Sequence, residues 1–170
     1  MDSGRYERKF LVRDIHPAEI ELYLKAHPFL FTEIYHQRPV NSIYLDTPGL
    51  HCFHDSVNGI AQRTKVRIRW YGAMHGANHA ALLEIKKKAG TVGTKRTYDF
   101  GTFALSRECG RKHIAGVCAK SKLQPDIKRL LAPLQATVLI RYHRRYFLSA
   151  LGDCRITVDT NLSWFPIGTR

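Results

Sequence analysis

The chain contains no Cys-x-x-Cys pair. Its four cysteines, Cys52, Cys109, Cys118 and Cys154, are scattered. His51 and His54 flank Cys52, and His75 and His79 are loosely spaced, but without paired thiols neither group has the pattern of a structural zinc site. No apolar run approaches the roughly 20 residues that span a bilayer. The opening MDSGRYERKF lacks the apolar stretch of a secretory signal. These absences predict a cytoplasmic domain with no transmembrane segment. Internal repeats, low-complexity tracts and linkers are missing too, so residues 1–170 read as one domain. Acidic residues are scarce: 14 Asp and Glu stand against 27 Lys and Arg, a formal charge of +13. Such a chain attracts polyanions, and only the placement of the cations can say which kind.

What is present is a series of half-polar strand patterns broken by short helices. Strands are predicted over 5–13, 41–46, 64–71, 81–88, 95–100, 137–149 and 155–159. Pro17 opens one helix, which His27-Pro28 ends. Thr47-Pro48 caps a second, with Leu50, Phe53 and Val57 on one face and a stop near Gly59. Residues 72–79 read as a turn, and one or two short helices precede the one beginning at Pro125. Strands joined mostly by turns or short helices predict an α+β fold with an antiparallel sheet or barrel.

Side chains alternate between the faces of a strand, which assigns the charges to sides. Arg63, Lys65, Arg67 and Arg69 share one face, opposite Val66, Ile68 and Trp70. Glu84, Lys86 and Lys88 share another, opposite Leu83 and Ile85. Arg5, Glu7, Lys9 and Arg13 align, as do Lys95 with Asp99, and Arg155 with Asp159. Any one such strand fits the wet face of a one-sided sheet. Repeated over five strands, the pattern crowds cations whose repulsion a multivalent anion would offset. Curled with that face inward, the sheet would form a cationic tunnel suited to a linear polyanion. Glu7, Glu84, Asp99 and Asp159 are either oxygen ligands for a divalent metal or ion-pair partners that orient the basic residues.

The segments RYERKF, SIYLDTP, VRIRWYG, LLEIKKK, IRYHRRYF and RITVDTNL, in this order from about residue 5 to residue 162, resemble a known branch of the triphosphate tunnel metalloenzyme superfamily. That branch comprises the vacuolar transporter chaperone (VTC) polyphosphate polymerases and their bacterial relatives; Arg5 stands where the wider superfamily often has an acid. The resemblance implies ATP-dependent polyphosphate synthesis with Mn2+ or Mg2+ in an antiparallel β-barrel with helices outside. It implies that Lys9, Arg67, Arg69, Lys86, Lys95, Arg144 and Arg155 bind ATP, triphosphate or polyphosphate, with Tyr142 donating a hydrogen bond. Lys65, Lys88 and Arg63 would extend the substrate-binding face, and Glu7 and Glu84 would be metal ligands.

Two departures are visible. Ser56 stands near a position that can be basic in the family, and no late Glu-x-Lys strand follows Asp159, so a tunnel domain truncated at its C-terminal end is expected. Alternatives are a triphosphatase or cyclase of the same superfamily, and a non-catalytic module that binds polyphosphate or inositol phosphates. Nucleic acid is not the expected partner, since no zinc finger, Gly-rich clamp or aromatic RNA-binding strand accompanies the charge. The basic stretch Arg107 to Lys122 reads as a solvated outer face.

Overall fold

A computed structural model describes residues 7–90, 92–105 and 110–168. The chain packs as two compact units. One comprises the described residues through His36 together with Tyr146–Thr157; the other comprises Gln37–Arg145 and the described residues from Val158 onward.

The first unit contains helix α1 (Pro17–Ala26), whose start is set by Pro17 and by His16, the ring of which accepts from the Ala18 amide. None of its residues is fully buried. Packing comes instead from Phe31, which meets the rings of His27 and Phe29, and from Tyr35 set edge-on to Tyr146 at 5.6 Å. A turn at 149–154 is closed by the Ser149 hydroxyl, which donates to Asp153 and accepts from the Cys154 amide. Residues 7–13 are irregular rather than a strand, with Phe10 79% and Leu11 80% exposed; Arg5 and Tyr6 lie outside the described residues. Alternation shows which face a strand would present, but it cannot supply the hydrogen-bonding neighbour a strand requires.

The sheet runs in the order β4-β3-β2-β1-β5-β6. Its strands are β1 (Thr32–Asp46), β2 (Gln62–Tyr71), β3 (Gly76–Ala89), β4 (Val92–Leu105), β5 (Gln135–Leu148) and β6 (Arg155–Pro166). Helices α2 (His51–Val57), α3 (Arg111–Lys120) and α4 (Pro125–Leu131) complete the described elements. In the second unit the antiparallel strands curl as an open half-barrel with helices outside. Ile43, Leu45, Val66, Ile68, Trp70, Leu83 and Ile85 project from one face and bury against Phe100, Phe103, Ile114, Ile127 and Leu131. The expected α+β antiparallel architecture is therefore present.

Several boundaries differ from the sequence reading. β1 begins nine residues before Asn41 and runs through Pro39, whose carbonyl accepts from the Gly72 amide at 3.1 Å. The Gly72 carbonyl, to which Pro39 has no N–H to offer, accepts from the Asn41 side chain at 3.2 Å. The predicted turn shortens to 72–75, with β3 starting at Gly76, and β6 continues to Pro166. Helix α2 starts at His51 rather than Pro48, and Phe53 and Val57 are exposed instead of facing a core. Its cap is the buried Asp46 carboxylate, which accepts from the amides of Thr47, Cys52 and Phe53 at 2.7, 2.9 and 2.9 Å. Asp46→Ala would leave those donors unmatched and is expected to cost about 1–3 kcal/mol, read as a lowered thermal midpoint.

The β3–β4 hairpin is long and irregular at one point. Its register shifts between Asn78 and Leu82, opposite Gly101, which sits at φ 82 where a Cβ would be strained. The Gly101 amide donates to Asp99, turning that carboxylate back onto its own strand.

Candidate phosphate-binding face

Opposite the core, the inner face of the second unit carries the predicted cations in rows set by strand register. Lys65, Lys86 and Lys95 lie abreast on β2, β3 and β4. One step along, Tyr44, Arg67, Glu84 and Thr97 form the next row; Ser42, Arg69, Leu82 and Asp99 form the one after. Arg63 pairs with Lys88 at the other end, and the Arg63 guanidinium donates to the Ile60 carbonyl. The side chains of Lys65, Lys86 and Lys88 form no hydrogen bond or ion pair with other described residues.

Glu84 is the centre of this face. Its side chain is 6% exposed, yet it meets three cations: Lys95 Nζ at 2.5 Å, Arg67 Nε and Nη2 both at 2.6 Å, and Arg69 Nη1 at 3.6 Å. Arg67 Nη1 also donates to the Tyr44 hydroxyl at 3.0 Å. Arg69 is held by longer contacts, to Ser42 Oγ at 3.5 Å and to the Tyr142 hydroxyl at 3.4 Å. Here the arginine donates and the Tyr142 oxygen accepts, a contact that does not use the phenolic hydrogen. On the neighbouring strands the Arg144 guanidinium grips Asp159 in two bonds of 2.6 and 2.7 Å and stacks over Tyr142 at 5.0 Å.

The electrostatics follow from these contacts. Burial pushes the Glu84 carboxyl up, but the Lys95 hydrogen bond and the charges of Arg67 and Arg69 outweigh it and hold the group below its ordinary 4.5. Burial alone would lower Arg67, and Tyr44 and Glu84 reverse that and raise it. Burial raises Tyr142, so its hydroxyl stays protonated. Because the folded value of Glu84 lies below the unfolded one, its contribution to stability is fully present above the ordinary value and is lost as pH falls through the folded value. The stability difference between wild type and Glu84→Gln is expected to narrow through that acidic window, measured as thermal midpoints from pH 7 downwards.

Each of the four acids singled out from the sequence meets a group of the protein: Glu84 its three cations, Asp159 Arg144, Asp99 the Gly101 amide, and Glu7 Lys9 at 3.8 Å. Among the described residues no three His, Cys, Asp or Glu side chains gather as a metal-binding group. A carboxylate already engaged by three cations, whose diagonal neighbour Asp99 is turned onto the Gly101 amide, does not fit a divalent ion held by the protein. Lys9 and Arg155 belong to the first unit, where Arg155 is exposed at the start of β6.

Sequence reasoning missed Tyr44, Ser42 and Arg38. Tyr44 and Ser42 lie within a strand that was recognised, and alternation places them on the face of the cations. Arg38, whose guanidinium stacks over Tyr71 at 4.6 Å, falls in the part of β1 not recognised as strand.

A family model for the VTC domain matches residues 4–167. The chain belongs to the VTC domain family. This connects it to polyphosphate in the broad sense. No curated protein matches this VTC domain significantly. Among the described residues no helix is long and apolar enough to cross a membrane.

Proposed function

We propose that this VTC domain binds the triphosphate of ATP and linear polyphosphate on its cationic inner face and, as a polyphosphate polymerase, lengthens the polymer by phosphoryl transfer. The observation that supports this most is the row Lys65, Lys86 and Lys95, three lysines abreast on adjoining strands. Like charges directly opposite one another destabilise a sheet, and a ligand carrying several negative charges converts that cost into attraction.

Phosphoryl transfer suits such a face because positioning and charge neutralisation supply most of the catalysis. Arg67, Arg69, Lys86, Lys95 and Arg144 would bind phosphate oxygens, Tyr142 would hold Arg69 and Arg144 in place, and Lys65, Lys88 and Arg63 would carry the chain onward. Lys9 and Arg155 enter this proposal through the family resemblance. The terminal oxygen of the polymer attacks the γ-phosphorus of ATP in line, the bond to the β-phosphate oxygen breaks, and ADP leaves. No protein nucleophile is needed.

The test is incubation with ATP in the presence of Mn2+ or Mg2+, followed by chromatography. Polymer is the expected product. Free phosphate alone would make the domain a triphosphatase, and cyclic nucleotide a cyclase. Tight tripolyphosphate binding without product would leave a binding module. In competition, tripolyphosphate should displace an oligonucleotide, and the reverse preference would overturn the reading.

A further inference from the structure

The Glu84 contacts carry an inference about how the face is organised, which rests on the phosphate-binding reading above. We infer that Glu84, together with Tyr44, is a positioning residue that fixes Arg67 and Lys95 as a pre-set pair of hydrogen-bond donors to phosphate, rather than a metal ligand.

Three cations of this cluster come from two different strands, β2 and β4, and Glu84 stands on the strand between them. Without a central anion their repulsion would drive the long side chains apart, and a ligand would have to gather them while binding. With Glu84 in place the gathering is done in advance, which lowers the ordering cost of association. Arg67 is held at both ends: Nε and Nη2 on one Glu84 oxygen and Nη1 on the Tyr44 hydroxyl. These contacts use three of the five guanidinium hydrogens, so two remain for a ligand. Lys95 has its ammonium on the other Glu84 oxygen while its side chain stays 50% exposed, so its remaining hydrogens are open to solvent. One carboxylate against three cations leaves a net charge of +2 at the cluster, which still favours an anion.

A metal ligand would behave differently. It would act only when the ion is present, and it would not depend on Tyr44, which has no charge to offer one.

The experiment is calorimetric titration of the folded protein with tripolyphosphate, once in EDTA and once in excess Mn2+. Wild-type binding comes first, because its absence would sink the phosphate reading itself and not this inference. Given wild-type binding, Glu84→Gln should weaken affinity by about tenfold in both buffers, the scale of one charge-assisted contact. Glu84→Asp should recover part of the loss. A loss confined to Mn2+ would make Glu84 a metal ligand, and unchanged or tighter binding would make it a mere competitor; either result overturns the inference. Should Glu84→Gln not fold, Tyr44→Phe and Lys95→Ala decide. If Glu84 and Tyr44 position the donors, Tyr44→Phe weakens binding equally in both buffers. The cost of Lys95→Ala and that of Tyr44→Phe should then be less than additive in the double variant. No effect of Tyr44→Phe, or strict additivity, would refute it.

Discussion

Lys86→Ala is expected to weaken tripolyphosphate binding by about 1–3 kcal/mol, and Lys65→Ala with Lys86→Ala by more than either alone. Lys86 is the middle member of its row, flanked in register by Lys65 and Lys95. Its side chain forms no ion pair or hydrogen bond with a described residue, so its removal forfeits neither. The same substitution should raise the thermal midpoint of the ligand-free protein slightly, because it relieves repulsion between neighbours. Weaker binding with undiminished stability is the signature of a residue kept for its ligand. Affinity should also fall steeply with added salt. Unchanged affinity in both variants would remove the lysine row from the site.

Trp70→Ala is expected to cost about 3–5 kcal/mol of stability. The indole is 1% exposed, stands edge-on to Phe103 at 5.1 Å, and donates through Nε1 to the Ala73 carbonyl at 2.9 Å. Truncation removes the largest fully buried side chain and leaves a carbonyl without its donor. Chemical denaturation should show a lower midpoint with an unchanged slope. Trp70 lies between Arg69 and Tyr71 on β2, so a partly collapsed cavity would also shift the strand that carries Arg67 and Arg69. A variant as stable as wild type would mean that this face of the sheet is not the core.

Alternation made the two sides of β2 and β3 legible in the sequence, since Val66, Ile68 and Trp70 are buried and Arg67, Glu84 and Lys86 lie opposite. What alternation could not supply was register. The meeting of Lys65 with Lys86 and Lys95, and of Glu84 with cations from both flanking strands, depends on which residues stand abreast, and one slip would send each side chain to the other face. The first half of β1 was hidden by Pro39 among polar residues, and with it went Arg38. The apolar spacing of Leu50, Phe53 and Val57 correctly marked a helix but not a buried one, because a seven-residue helix can be held by the Asp46 carboxylate without burying a face. Residues 7–13 show the opposite failure, a strand pattern with no strand. For Glu84 and Asp159, the ion-pair alternative open in the sequence is the one whose contacts are seen.

The hairpin of β3 and β4 has a further consequence. Between Ile85 and Tyr98 none of its described residues is buried. β3 is still paired with β2 as far as Ala89, whereas β4, which carries Lys95, is an edge strand held there mainly by its ladder to β3. An anion bridging Lys65 on β2 to Lys86 and Lys95 would act as a clasp, fastening the β4 edge to the body of the sheet. Amide hydrogen exchange across 92–97 should therefore slow as polyphosphate is added, while exchange in the core of β2 stays as it was.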